Sequence, residues 1–404
     1  RASDRRGLSA AMHFQLTDEQ RDLAETARKF ARAELPDLAR DMEEKDYPVP
    51  PDMLRRYGEM GFLGVNLPEQ YGGLGLGHVE ALLVLEEFAQ VSNAVAFPVF
   101  EALVGPVRTI ERFGSDEMKA RVLPQVIQGE KVVAVSMSEP DAGTALTDLK
   151  TTAREDGADG SGGYVVNGTK RWTSGGGHSD YYVTYCRYTE DAGAKGIGAI
   201  LLEKDMEGMS FGKREELMGF RGIPTADIMI EDVKVPGENV IVSAGGFGKL
   251  MSAFGLERCG NATQALGLAA AALEQALEYT QEREAFGKPI VDFQAVQLKL
   301  AEMAMKVEAS RLLIHRAAVN AAAQDDGLPT AYESSLAKCY ANEIVREVTA
   351  LGMQVMGGYG YHKDYGMEQR LRDAYAWGIA GGAIDVQKTN IAAAMVGRRF
   401  DQRR

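Results

Sequence analysis

From Leu16 onward apolar residues recur at helical spacing, with Leu23, Ala27, Phe30 and Ala31 following Thr17-Asp18-Glu19-Gln20. A helix cap followed by early acids is the usual start of an amphipathic helix. Similar stretches run over about 51–60, 79–91, 98–113 and 116–128. After Lys131 the period shortens. Val132–Met137, Tyr164–Val166, Tyr181–Tyr185 and Ile228–Ile230 are short β-type runs between Gly- and Asp-rich turns. Beyond Gly245 long amphipathic patterns rich in Ala, Leu, Met and Gln return, over roughly 246–281, 291–324, 329–355 and 383–397. The pattern predicts an α+β chain in three parts: a helical domain over 12–131, a middle β-sheet domain over 132–243, and a helical bundle over 244–404. Residues 1–11 precede Met12 and are left out of this reading. The acidic, Gly-rich stretch 155–163 predicts a hairpin tip.

Composition narrows the function by exclusion. A net charge of −13 over 404 residues argues against nucleic acid, whose phosphates call for a surplus of Lys and Arg. A local basic site for a phosphorylated cofactor is still compatible. Cys186, Cys259 and Cys339 are odd in number and widely spaced, which predicts neither a disulfide framework nor a metal site and fits a reducing cytoplasm. No apolar run reaches the roughly 18 residues that span a bilayer, and no signal-peptide core follows the basic start. Tyr71-Gly72-Gly73-Leu74-Gly75-Leu76-Gly77 lacks the dinucleotide spacing and a preceding strand, so it reads as a turn.

Two strings in the β region carry chemistry: Ser136-Met137-Ser138-Glu139-Pro140-Asp141-Ala142-Gly143-Thr144 and Asn167-Gly168-Thr169-Lys170-Arg171-Trp172-Thr173-Ser174-Gly175-Gly176. An isoalloxazine ring needs an aromatic wall and hydrogen-bond donors along its edge, which Trp172, Ser138, Ser174 and nearby amides supply. Taken singly, the same residues are ordinary core packing and strand-end polar groups. Together, in this order and with helices on both sides, they resemble the flavin signatures of the acyl-CoA dehydrogenase family. The resemblance covers about residues 14–400; the first string has Asp141 where the family usually has Gly.

That resemblance implies a barrel-like middle domain, a C-terminal four-helix bundle, FAD as cofactor and an acyl-CoA thioester as substrate. Met137, Ser138, Thr144, Trp172 and Ser174 then meet the cofactor, and Thr144 also meets the thioester. Arg283-Glu284-Ala285-Phe286-Gly287, with Gln294, resembles the segment that reaches a neighbouring subunit's FAD, and Arg suits a bidentate phosphate contact. Gln354-Val355-Met356-Gly357-Gly358 resembles the other cofactor-facing turn, where glycine lets the backbone approach a diphosphate. The resemblance further implies a homotetramer built as a dimer of dimers, with an electron-transferring flavoprotein as electron acceptor.

Desaturating a thioester requires a carboxylate of raised pKa to remove the α-proton. In most of the family this is a Glu followed by Gly, shortly after Arg-Asp-Ala. Here Arg372-Asp373-Ala374 is followed by Ile379-Ala380-Gly381-Gly382-Ala383, and the usual Glu is Gly381. Leu256-Glu257-Arg258 resembles the minority arrangement, with the base on a bundle helix. Leu250, Phe254, Glu257, Asn261, Ala265 and Leu268 independently share one helical face, and a carboxylate on a buried stripe is costly unless paired or functional. Glu257 is the expected base. Pairing with Arg258 or another cation is the bland alternative.

The resemblance gives Gly381 a remaining role through its backbone N–H, donating to the thioester oxygen. It places Arg258 against the substrate, and Ala383 and Asp385 at cofactor positions that usually carry a hydroxyl residue and Gln. Phe97 and Phe100, in the helix expected to floor the acyl pocket, point to a short, branched, cyclic or aromatic acyl group. The Ala-Gly-Gly string also resembles family members that break a carbon–carboxylate or carbon–sulfinate bond, where the departing group supplies the electron pair. Decarboxylation or desulfination is the second reading. A flavin-dependent oxidase or monooxygenase and a non-catalytic factor on the same fold are further alternatives.

Overall fold

Thr17 opens the first helix: its Oγ1 accepts from Gln20 N at 3.2 Å while Gln20 Oε1 accepts from Thr17 N at 3.0 Å, satisfying two end donors reciprocally. The chain, seen here in a computed structural model, is described over residues 15–157 and 162–400. Residues 1–11 and the centre of the predicted hairpin tip lie outside the described residues. Seven helices come first: α1 (Asp18–Glu34), α2 (Pro36–Lys45), α3 (Pro51–Glu59), α4 (His78–Val91), α5 (Asn93–Leu103), α6 (Val107–Phe113) and α7 (Asp116–Ile127).

Two features of this helical part differ from the expectation. The stretch 98–113 is divided between α5 and α6, because Pro106 lacks an N–H and disfavours helical backbone at Gly105. The additional helix α2 starts on Pro36, whose fixed φ suits a first helical position. The Gly-rich 72–77 segment is a turn folded back on the chain, with Leu74 N donating to Gly64 O and Leu76 N to Val65 O.

The sheet comprises β1 (Val133–Ser136), β2 (Thr152–Glu155), β3 (Tyr164–Ser174), β4 (Tyr181–Arg187), β5 (Ile197–Glu203), β6 (Met209–Phe211), β7 (Thr225–Val235) and β8 (Val240–Val242). Its order is β6-β7-β3-β2-β4-β5-β8, with β1 parallel to β4 in the register Val133↔Tyr181. Alternation along β4 divides the core in two. Tyr181, Val183 and Tyr185 join the core shared with the helices, while Tyr182 and Cys186 pack within the sheet module.

The remaining helices are α8 (Phe247–Glu282), α9 (Gln294–Ala321), α10 (Ala331–Met356), α11 (Gly358–Tyr361), α12 (Met367–Asp373) and α13 (Ile384–Val396). The stripe predicted on α8 is buried, and so is every residue from Ala253 to Ala269: this helix runs through the bundle's centre and has no solvent face there. Close approach requires small residues. A Cβ at Gly260 would lie 3.0 Å from the Phe100 ring and 2.3 Å from Val104, so glycine lets α5 settle directly on α8. The three parts are tied by buried polar contacts, including Asp373 Oδ1, which accepts from Phe220 N at 2.7 Å.

Candidate active site

The two signature strings meet where β1 ends beside β3. Arg171 N donates to Ser138 O at 2.9 Å, and buried Lys170 donates to Met137 O at 3.1 Å and to Glu139 Oε1 at 2.9 Å. Glu139 in turn accepts from Lys150 N and Thr151 N at 2.6 and 2.9 Å. This pair shapes the loop carrying Met137, Ser138 and Thr144. Trp172 projects beside it, 52% exposed, with φ of +61° and the Arg171 guanidinium 4.3 Å from its ring centre. A large aromatic held outward on left-handed backbone is costly without an occupant for its open face, and an isoalloxazine ring fits that need. Ser138 and Ser174 are half-buried and Thr144 is exposed.

A second surface gathers Arg283, Gly357, Gly358 and Tyr359 around a groove of about 700 Å³. The Arg283 guanidinium lies 5.8 Å from the Tyr359 ring centre, and a Cβ at Gly357 or Gly358 would meet nothing, leaving backbone open to a ligand. Phe286, at φ +54°, is 97% exposed, and Gln294 and Gln354 are exposed on the first turn of α9 and the last turn of α10. These features fit the diphosphate end of a dinucleotide. Ala383 caps α13, and Asp385 is exposed in its first turn.

Between α5, α8, α10 and β4 lies the third group. Glu257 is buried, yet among the described residues no donor or cation is within bonding distance of its carboxylate. Burial raises its pKa to about 7 against the opposing charges of Lys338 and Arg258. Arg258 is itself buried, and its Nε has no acceptor, so the two neighbours form no ion pair. Tyr185 is fully buried with its hydroxyl unpartnered.

Phe97 and Phe100 stack at 5.7 Å, and both pack on Trp377, at 6.3 and 5.1 Å. Their shared aromatic wall thus stands at the start of the turn bearing Gly381. That turn is left-handed at Gly381 (φ +62°) and Gly382 (φ +92°), and a Cβ at Gly381 would lie 2.2 Å from Asn261 Oδ1. A Glu at 381 would therefore clash with Asn261.

Four contributors to this group escaped the sequence reading: Lys338, Asn261, Tyr185 and Glu101. Glu101, on α5, is buried with no hydrogen-bond partner among the described residues, and burial together with the charge of Glu257 pushes its carboxyl well above the usual range. The only sequence signal was a Glu one turn after Phe97, ordinary on any helix.

Three family models match the chain: acyl-CoA dehydrogenase N-terminal domain over residues 17–130, middle domain over 134–233 and C-terminal domain over 244–396. The chain is 37% identical to acryloyl-CoA reductase (NADH) of Anaerotignum propionicum, covering 96% of this chain and 97% of that protein. It is 35% identical to 3-sulfinopropanoyl-CoA desulfinase of Paraburkholderia xenovorans, covering 97% and 99%. Among solved structures, butyryl-CoA dehydrogenase from Megasphaera elsdenii superimposes with a TM-score of 0.90 at 32% identity, covering 95% of this chain and all of that one.

Proposed function

The chain belongs to the acyl-CoA dehydrogenase family of FAD-dependent oxidoreductases, and from that premise we propose that it oxidises an acyl-CoA to its 2-enoyl thioester with Glu257 as the base. The observation that carries this is a buried carboxylate left without a partner, one helical turn from the Asn261 that meets the Gly381 turn. Near neutral pH it is ionised often enough to remove a weakly acidic α-proton, and burial makes that proton transfer productive. Gly381 N–H, held by the left-handed turn, donates to the thioester oxygen as negative charge develops there. Bound FAD supplies the acceptor for the β-hydride. Met137, Ser138, Thr144, Trp172 and Ser174 hold its ring; Arg283, Phe286, Gln294, Gln354, Gly358, Ala383 and Asp385 meet its remainder.

Phe97, Phe100 and Trp377 close the acyl space with stacked rings, which favours short, branched, cyclic or aromatic acyl groups. Leu298, Met305, Leu312 and Val319 stand exposed at seven-residue intervals along α9. A stripe of that period seats a second helix and supports assembly of copies into the homotetramer, whose neighbours complete each FAD site. No described helix is long and apolar enough to cross a membrane. The electron acceptor in this reading is an electron-transferring flavoprotein in the cytoplasm.

One observation favours a second reading, cleavage of a carboxylate or sulfinate substituent: the buried Arg258 Nε has no acceptor and suits an anionic acyl group. Anaerobic mixing of the FAD-loaded protein with straight, branched, aromatic, dicarboxylic and sulfinate-bearing acyl-CoAs separates the two. Flavin bleaching that Glu257→Gln abolishes supports dehydrogenation. Release of carbon dioxide or sulfite that survives the substitution supports cleavage.

A further inference from the structure

Lys338 is fully buried on α10 and spends all three ammonium hydrogens on acceptors in other elements. It donates to Asn261 Oδ1 at 2.7 Å, to Trp377 O at 2.8 Å and to Ala380 O at 2.8 Å. The same Asn261 donates through Nδ2 to the backbone oxygen of Glu257 at 2.9 Å. A continuous path therefore runs from the backbone of Glu257, through Asn261 and Lys338, to both carbonyls flanking the approach to Gly381. Each end of that path carries one half of the chemistry: the carboxylate that takes the α-proton and the N–H that stabilises the resulting charge.

We propose that Lys338 is a positioning residue that registers Glu257 against the Gly381 N–H and holds the base in its ionised form. The inference deepens the reading of Glu257 as base and rests on it. Geometry alone assigns the first role. Ile384 N donates to Gly378 O at 3.2 Å and Gln387 Nε2 to Gly382 O at 3.3 Å across the far side of this glycine turn, and the lysine fixes its entry with two further hydrogen bonds from one rigidly held amine. Asn261 also occupies the volume a side chain at 381 would need, so the network keeps that turn bare.

The second role follows from charge. Glu257 is faced by Arg258 from its own helix, Lys338 from α10, Glu101 from α5 and Tyr185 from β4. Burial pushes both Glu101 and Tyr185 toward their neutral forms, leaving the two cations to favour the carboxylate. Burial lowers Lys338 to about 7 while Glu257 opposes that fall, so the ammonium and the carboxylate sustain each other: loss of either charge weakens the other.

The test uses FAD-loaded protein with Lys338→Met, Lys338→Gln and Lys338→Arg, and two measurements. Difference infrared spectroscopy follows the Glu257 carboxyl as pH varies, with Glu257→Gln identifying its band. The carbonyl stretch of a bound, non-oxidisable acyl-CoA analogue reports donation from Gly381. In Lys338→Met the Glu257 midpoint rises by about 1 unit or more, and the carbonyl stretch returns toward its value in water. Lys338→Gln, which keeps donors without the charge, raises the midpoint and retains part of the carbonyl shift; Lys338→Arg restores the midpoint. If Lys338→Met does not fold, the Gln and Arg variants decide alone. An unmoved midpoint and carbonyl frequency in a folded neutral variant overturn the proposal. Failure of the wild type to bind any acyl-CoA would instead overturn the functional reading, while the carboxyl titration still judges the lysine.

Discussion

The protein buries two glutamate–lysine sets, and they are built in opposite ways. In the sheet module, Glu139 and Lys170 bond directly at 2.9 Å, and backbone amides fill the remaining carboxylate positions. Burial pushes Glu139 upward, but Lys170 and these donors leave it below its ordinary value. In the bundle, Lys338 gives its hydrogens to Asn261 and two carbonyls, while Glu257 receives none and rises to about 7. The same residue types at similar burial thus form a brace in one place and, in the other, leave the unpartnered carboxylate proposed as the base. The deciding variable is where the lysine's hydrogen bonds go, since a satisfied carboxylate stays ionised and inert.

Substitution at each glutamate gives the sharpest contrast. Glu257→Gln lowers the rate of flavin reduction by about 10²–10⁴-fold, the usual worth of a positioned base, with FAD content preserved and a thermal midpoint at neutral pH no lower than that of the wild type. Glu139→Gln leaves Lys170 buried without its counter-charge and costs about 3–5 kcal/mol of stability, read by denaturant titration, with FAD lost as the signature loop loosens. A Glu139→Gln protein as stable as wild type would erase the distinction.

The pH responses run in opposite senses. Glu257, raised to about 7 from 4.5, keeps a proton in the folded state that the unfolded chain has already released. Its contribution therefore falls as pH rises from about 4.5 to 7, while flavin reduction falls roughly tenfold per unit below about 7. Glu139, shifted downward, contributes stability that is present above 4.5 and is lost as pH falls through its lower folded value. The difference in thermal midpoint between the wild type and each Gln variant, followed across pH 3–8, reveals these opposite slopes.

Smaller effects concern the surroundings. Gly381→Ala puts a Cβ against Asn261 on left-handed backbone and costs about 1–2 kcal/mol, a loss that pairing with Asn261→Ala reduces in a double-mutant cycle. Glu101→Met removes an unpartnered buried carboxyl and raises stability by about 1–3 kcal/mol at pH 7, measured by chemical denaturation. An unchanged or lower stability means that Glu101 has a partner of its own.

The brace was more legible than the base's support. Glu139 and Lys170 fall inside ordered strings whose residues lie close in sequence, and the change of period at Lys131 separates the modules without any tertiary information. Glu257 was visible from its neighbours on α8 and from the bare Gly381, although its burial comes from a helix enclosed on every side, which a one-face pattern understates. Lys338 was silent, and Asn261 showed only as one more member of the α8 stripe. One is 77 residues from the other, a lysine on an amphipathic helix reads as solvated, and only packing brings its amine to the Gly381 turn. Ile197–Glu203 was missed for a related reason: an apolar run beside glycines has no alternation when both faces of the strand are covered.

The central claim is that the unpartnered glutamate, and not the paired one, does the chemistry. Its most direct test is anaerobic stopped-flow reduction of FAD-loaded wild type and Glu257→Gln by a branched or aromatic acyl-CoA at pH 8. The account predicts rapid bleaching of the wild-type flavin and a rate at least about 100-fold lower in Glu257→Gln, with equal FAD content. Bleaching of Glu257→Gln at the wild-type rate would contradict it.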